Sequence, residues 1–140
     1  MFISLAGPSF RPLYVDITDD GCLVCSTHVL VRFEGMIIPA ALDVIARVQV
    51  DTGAILFEKS VPQIQCPHGI AIASDGSILV TDRKNKTLHL VSSQGAWTKQ
   101  LWSVPSGADQ DKELKTVTTD GSVCVCVTMY GSVYILDCVY

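Results

Sequence analysis

The chain contains 140 residues with a net charge of −4, and 49% of them are hydrophobic while only 17% are charged. That composition is too apolar for a disordered chain, and the length suffices for one domain with its own core. The negative charge argues against binding nucleic acid mainly through a global positive field.

No targeting or membrane-spanning segment is predicted. Residues 1–8 lack a basic region, their apolar part is too short for a signal peptide, and no apolar run reaches the roughly 18 residues of a spanning helix. Six cysteines are present, and all but Cys66 lie in apolar, strand-like runs, where a thiol packs as a small hydrophobic group. We therefore expect a cytoplasmic protein with reduced and mostly buried cysteines.

The chain opens with a short apolar segment at residues 2–5, which is a candidate strand, and continues into a larger unit at residues 10–60. Compared with the later units, this one carries 13 extra residues between Cys25 and Arg47. Pro39 is predicted to open a short helix through Ala46, because proline is tolerated in the first helical turn. The insertion then either folds as an apolar flap over the edge of the unit or forms a docking patch for a partner.

The middle unit, residues 66–103, has the clearest pattern. Its first two predicted strands are joined by a turn at Asp75-Gly76, where glycine takes positive φ freely. A polar loop from Asp82 to Lys86 separates the second strand from the third. The four predicted strands occupy residues 69–73, 78–81, 87–91 and 96–102. Four antiparallel strands joined by short turns form one blade of a β-propeller.

The last unit, residues 113–140, repeats this pattern around Asp120-Gly121. Three strands are predicted, at residues 114–118, 122–128 and 132–136. Ile135 follows its Asp-Gly glycine by 14 residues, as Leu90 does in the middle unit, so the two units keep register. We expect no fourth strand before Tyr140.

The three Asp-Gly dipeptides begin 55 and 45 residues apart, which is about the size of a propeller blade. The sequence therefore predicts an all-β fold of about three four-stranded antiparallel blades, with residues 2–5 as the outer strand of a neighbouring blade. Closed propellers need about four to eight blades, so the ring should be open or incomplete. The arc is then part of a larger propeller, one of two chains that complete a ring, or a truncated fragment; our hypothesis is half of a six-bladed ring.

The stretch from Pro67 to Lys86 resembles an NHL repeat. The matching features are a Pro-x-Gly-Ile opening, an Asp-Gly turn, a strand that ends in Asp-Arg and a following asparagine: Pro67, Gly69, Ile70, Asp75, Gly76, Asp82, Arg83 and Asn85. The resemblance covers one unit well and the skeleton of the other two. It implies a β-propeller, usually six-bladed, that binds protein or RNA, as in tripartite-motif ubiquitin ligases. The chain has no room for a RING or B-box zinc module, so ligase activity is not carried over.

The loop of Arg83, Lys84, Asn85 and Lys86 is the only basic cluster and the main candidate contact site, together with His68 at the start of an inner strand. Loops on a rigid scaffold commonly carry recognition residues. The alternative is a solvated turn in which Asp82 accepts backbone amides and Arg83 pairs with Asp82 or a neighbouring blade. A protein partner is favoured over RNA, because one cluster offers few phosphate contacts.

No catalytic or metal-binding signature is present, and no cofactor is expected. Cys22 and Cys25 have the spacing of half a zinc site, but residues three apart on a strand face opposite sides. His68 and His89 lack a nucleophile nearby and are interpreted as structural. We therefore predict a non-enzymatic interaction module, with a metal-dependent lactonase-like propeller hydrolase as the rival, for which Asp16 is the one acid on a predicted inner strand.

Overall fold

The computed structural model describes residues 10–33, 36–107, 112–120, 123–128 and 131–137. These residues form eleven β-strands and no helix, so the predicted all-β class is confirmed. No helix in this part of the chain is long and apolar enough to cross a membrane. The candidate strand at residues 2–5 lies outside the described residues.

The strands form three antiparallel sheets, which we call blades 1, 2 and 3, and they do not close into a ring. Blade 1 contains β1 (Phe10–Ile17), β2 (Cys22–Phe33), β3 (Met36–Gln49) and β4 (Ile55–Lys59). Blade 2 contains β5 (Pro67–Ile72), β6 (Ile78–Asp82), β7 (Thr87–Val91) and β8 (Trp97–Ser103). Blade 3 has three strands within the described residues: β9 (Leu114–Thr119), β10 (Val123–Thr128) and β11 (Val133–Asp137).

The predicted helix from Pro39 through Ala46 is wrong, because these residues belong to β3, which pairs with β2 along nearly its whole length. The inserted residues therefore lengthen the β2–β3 hairpin to strands of 12 and 14 residues instead of folding as a flap. Val29 pairs with Leu42 and Val31 with Ile38, so Pro39 lies in a bulge. A bulge tolerates proline because no ladder hydrogen bond is required from its nitrogen.

The Asp-Gly turns close the first hairpins of blades 1 and 2. Gly21 and Gly76 have φ angles of 80° and 87°, a conformation that glycine adopts without strain. The amide of Gly76 donates to the Ala73 carbonyl at 2.9 Å, and the Asp75 carboxylate accepts the Ser77 amide at 2.9 Å. Local turn chemistry therefore sets the register of these hairpins.

Two apolar clusters hold the blades face to face. The first lies between blades 1 and 2 and includes Val24 and Ile45 from one sheet and Ile70, Ile78, Val80 and Val91 from the other. The second lies between blades 2 and 3 and comprises Ala71, Leu79, Leu88, Leu90, Leu114 and Val117. Blade 2 is thus buried on both faces, whereas blades 1 and 3 each have one neighbouring blade among the described residues.

The connections between strands lie at two opposite ends of the blades. The turns between β1 and β2, β3 and β4, β5 and β6, and β7 and β8 lie at one end, which we call the Asp-Gly end. The β6–β7 loop and the connections between blades lie at the opposite end, which we call the linker end, because successive antiparallel strands alternate in direction.

Candidate functional site

The predicted contact loop at the linker end is built around the buried carboxylate of Asp82. Its Oδ1 atom accepts the backbone amides of Cys66, Lys84 and Asn85 at 3.3, 3.1 and 3.2 Å. Its Oδ2 atom accepts the amide of Gln65 at 2.8 Å and the side-chain amide of Asn85 at 3.1 Å. Five donors stabilise a carboxylate that has no access to water, so this one side chain ties the loop to the connection that precedes β5.

Backbone hydrogen bonds fix the rest of the loop. Lys86 has a φ of 57°, and its amide donates to the Asp82 carbonyl at 2.9 Å. The Lys86 carbonyl accepts the amide of Val104 at 3.0 Å, and the Arg83 amide donates to the Cys66 carbonyl at 3.0 Å. The loop is therefore anchored to both connections that flank blade 2.

Arg83 points toward the next blade. Its Nε atom forms an ion pair with Glu113 Oε2 at 3.6 Å, and both side chains are partly exposed. Glu113 immediately precedes β9, so the pair joins blade 2 to the start of blade 3. The structure thus places Arg83 in the bracing position that the sequence offered as the alternative to partner contact.

His68 lies inside the contact between blades 1 and 2. Its side chain is 9% exposed, and its ring meets Tyr14 of β1 edge to face with 4.6 Å between centroids. The His68 carbonyl accepts a hydrogen bond from the Ser26 hydroxyl of β2. His68 is therefore separated from the exposed part of the loop, which consists of Lys84 and Asn85, with Lys86 half-buried.

Three described cysteines, Cys22, Cys25 and Cys66, are free and buried. Burial, with a further contribution from Glu58, raises the pKa of Cys25 to about 11. Burial likewise raises the pKa of Cys66, against the opposing charge of Arg83. Both thiols are therefore protonated at neutral pH. No group of three or more histidine, cysteine or acidic side chains suited to a metal ion occurs among the described residues.

A groove that was not predicted from the sequence lies at the Asp-Gly end between blades 1 and 2. This groove has a volume of about 570 Å³ and is lined mainly by polar residues of the turns, including Asp19, Asp20, Ser74 and Asp75. The matching positions of Asp20 and Asp75 in the repeat could have indicated this groove, since two aligned turns on adjacent blades must lie side by side.

Arg47 and Asp20 organise the wall of this groove. Arg47 is buried, and its guanidinium donates to Asp20 Oδ2 and to the Ser93 carbonyl, each at 2.7 Å. A hydrogen bond from the Thr18 hydroxyl, assisted by the charge of Arg47, holds the pKa of the Asp20 carboxyl below its ordinary value. Because Ser93 belongs to blade 2, Arg47 links the two blades at this end.

Asp16, the inner-strand acid, also connects blades 1 and 2. Its Oδ2 atom accepts the amide of Ile72 in β5 at 2.9 Å, and its Oδ1 atom accepts the amide of Ile17 at 2.8 Å. Each carboxylate oxygen therefore already holds a backbone donor, as expected of a residue that positions adjacent inner strands.

Antiparallel blades packed face to face around neighbouring inner strands define a β-propeller arc. Residues 65–89, which include the first two strands of blade 2, match the family model of the NHL repeat. No curated protein matches the chain.

Solved structures of low sequence identity share this fold. A protein named as a candidate gluconolactonase has a TM-score of 0.67 at 17% identity over 96% of this chain and 47% of its own. The β-propeller domain of Cps50 (Swd1) from Myceliophteria thermophila has a TM-score of 0.52 at 10% identity over 94% of this chain and 52% of its own. The computationally designed Ika4 protein has a TM-score of 0.50 at 12% identity, with 96% of both chains covered. The chain thus spans about half the length of the first two structures.

Proposed function

We propose that this chain is a non-enzymatic propeller module that binds a protein partner at the linker end, through the surface of Lys84 and Asn85. One observation carries the proposal: the buried Asp82 carboxylate fixes the amides of both residues while their side chains stay exposed. A rigid loop loses little conformational entropy when it binds, so it suits recognition. Lys84 favours a partner with carboxylates at the contact.

The residues behind this surface support a scaffold rather than a reaction centre. Arg83 is paired with Glu113, His68 is buried against Tyr14, and the Cys66 thiol is held protonated by burial. None of these three groups combines exposure with the activation that a nucleophile or general base requires. We also place the module in the cytoplasm, where free buried cysteines stay reduced.

A photo-activated crosslinker at position 85 tests the surface in cells of the source organism. We expect a defined protein adduct that is lost when Lys84→Glu is added. The adduct should persist with Lys99→Glu, a matched charge reversal at an exposed position on β8. Equal loss with both variants, or adducts identical to those from a crosslinker at position 99, would refute a specific contact at this loop. Recovery of RNA instead of protein would favour the RNA-binding alternative.

The lactonase-like alternative requires a cation held near the inner strands, and Asp16 is its available ligand. Our proposal predicts that calcium leaves the Tm unchanged and that no lactone is hydrolysed. A calcium-dependent rise in Tm together with lactone hydrolysis, both abolished in Asp16→Asn, would replace the binding module with an enzyme.

A further inference from the structure

The free faces of blades 1 and 3 carry exposed apolar residues at positions that are buried in blade 2. Val15 and Ile70 each lie five residues before the aspartate of an Asp-Gly turn, yet Val15 is 57% exposed and Ile70 is 6% exposed. Ile135 and Leu90 each lie 15 residues after such an aspartate, and their exposures are 72% and 5%. Equivalent positions thus differ only in whether a neighbouring blade covers them.

The free face of blade 1 is the side that packs on a preceding blade, and the free face of blade 3 is the side that packs on a following blade. Ile70 packs in the cluster between blades 1 and 2, so Val15 and Ile17 mark the face of blade 1 that would receive a preceding blade. Leu90 packs in the cluster between blades 2 and 3, so Val133 and Ile135 mark the face of blade 3 that would receive a following blade. Blade 3 of one molecule can therefore serve as the preceding blade for blade 1 of another molecule.

We infer that two copies of this chain close a six-bladed ring with two-fold symmetry, each copy packing its blade 3 on blade 1 of the other. The two contacts are identical, and together they cover both free faces, which leaves no free blade face for further growth. Six blades fall within the range in which propellers close. The chain spans 47% and 52% of two solved structures that share its fold, so two copies have about the length of one such structure.

The occupant is a second copy rather than an unrelated protein because the required surface is already present on this chain. Val117 occupies in blade 3 the position that Ile17 occupies in blade 1, and Val117 packs in the same cluster as Leu90. Contact between Ile135 of one copy and Ile17 of the other would therefore repeat the packing between blades 2 and 3. This assembly uses the blade faces and is independent of the Lys84 surface, so either proposal can fail alone.

Light scattering coupled to size exclusion tests the ring on the 140-residue chain. We expect a mass of twice 15.1 kDa that does not grow further with concentration. Ile17→Glu and Ile135→Lys should each weaken dimerisation by at least about 100-fold, because each homodimer would bury two unpaired charges. The matched controls are Thr98→Glu and Gln100→Lys, at exposed positions of blade 2, and both should remain dimeric.

Mixing the two interface variants gives the decisive result. An equimolar mixture of Ile17→Glu and Ile135→Lys should recover a dimer, since one contact then pairs the opposite charges and the other contact is native. Val15→Glu with Val133→Lys provides a second pair if either first variant loses its β-sheet circular dichroism. A wild-type monomer, a mass that increases with concentration beyond a dimer, or two folded variants whose mixture stays monomeric would each overturn the ring.

Discussion

Gly69 of β5 lies directly against the backbone of Thr116 in β9, so that a β-carbon built on Gly69 would stand 2.7 Å from the Thr116 Cα atom. The Gly69 amide donates to the Thr81 hydroxyl at 2.8 Å, and the same hydroxyl lies 3.4 Å from the Lys115 carbonyl of β9. The glycine of the Pro-x-Gly-Ile opening is therefore required by the approach of blade 3 to blade 2.

Substitution of Gly69 by asparagine should destabilise the protein by about 1–3 kcal/mol, because the added atoms overlap backbone that cannot move aside. The control is Gly21→Asn: Gly21 has a φ of 80°, which asparagine tolerates, and open space around its Cα atom. Its effect should stay within about 0.5 kcal/mol. Urea denaturation measures both variants, and equal midpoints would show that the close approach to Thr116 is not maintained in solution.

Replacement of Asp82 by asparagine should lower the free energy of unfolding by about 2–4 kcal/mol, since a neutral amide satisfies fewer of its five donors. Hydrogen exchange at the amides of Lys84 and Asn85 should accelerate in the folded protein. Asp75→Asn is the control, because Asp75 is exposed and accepts the Ser77 amide. Unchanged exchange at Lys84 in Asp82→Asn would mean that the carboxylate does not hold the loop.

His89 should make stability fall as the pH decreases below about 6.5. Trp97 Nε1 donates to His89 Nδ1 at 3.0 Å, and His89 Nε2 lies 2.7 Å from the Thr87 hydroxyl, so the ring is neutral. Burial lowers the pKa of His89, against the opposing charge of Asp82. The unfolded chain therefore takes up a proton that the folded chain excludes, and the loss is at most about 1.4 kcal/mol per pH unit.

Urea denaturation between pH 5 and 8 measures this slope, with His89→Gln as the control that lacks the titrating group. The difference in slope between the wild-type protein and the variant isolates His89 from other groups. An identical pH dependence for both proteins would contradict a buried neutral imidazole.

Cys25 should resist alkylation at pH 8 in the folded state, because burial, aided by Glu58, raises its pKa to about 11 and the thiolate is the reactive form. Since the folded pKa lies above the ordinary thiol value, the stabilising contribution is complete below about pH 9 and is lost as the pH rises toward 11. Thermal denaturation between pH 8 and 11 measures this loss, and Cys25→Ala should remove it. Rapid modification of Cys25 under native conditions would show that its site opens readily.

The middle blade was predictable in detail because its determinants are local. Asp75-Gly76 specifies a turn, and the flanking alternation of apolar residues specifies the strands on either side. The Trp97–His89 hydrogen bond agrees with the interpretation of His89 as structural. The segment from Pro39 to Ala46 was predicted wrongly, because its pairing with β2 outweighs the local preference of proline for a helix start.

The candidate site shows the same difference between features set by local sequence and features set by long-range contacts. The sequence offered the role of Asp82 as an acceptor of loop amides within the alternative to a contact loop, and its donors Gln65 and Asn85 lie 17 and 3 positions away. The Arg83–Glu113 pair and the contact of His68 with Tyr14 join residues 30 and 54 positions apart. The sequence suggested that Arg83 pairs with Asp82 or a neighbouring blade and that His68 is structural, but it identified neither Glu113 nor Tyr14 as the partner.

By itself, the sequence determined the all-β class, the repeated hairpins and the NHL-like blade, since turn residues and strand periodicity act over a few neighbouring positions. The tertiary structure alone decided which charged and aromatic side chains brace the blades and which remain exposed. It also revealed that Val15 and Ile135 lie uncovered where their counterparts in blade 2 are buried. Burial depends on which sheet faces meet, and that contact is formed between segments far apart in the chain, where local patterns carry no information.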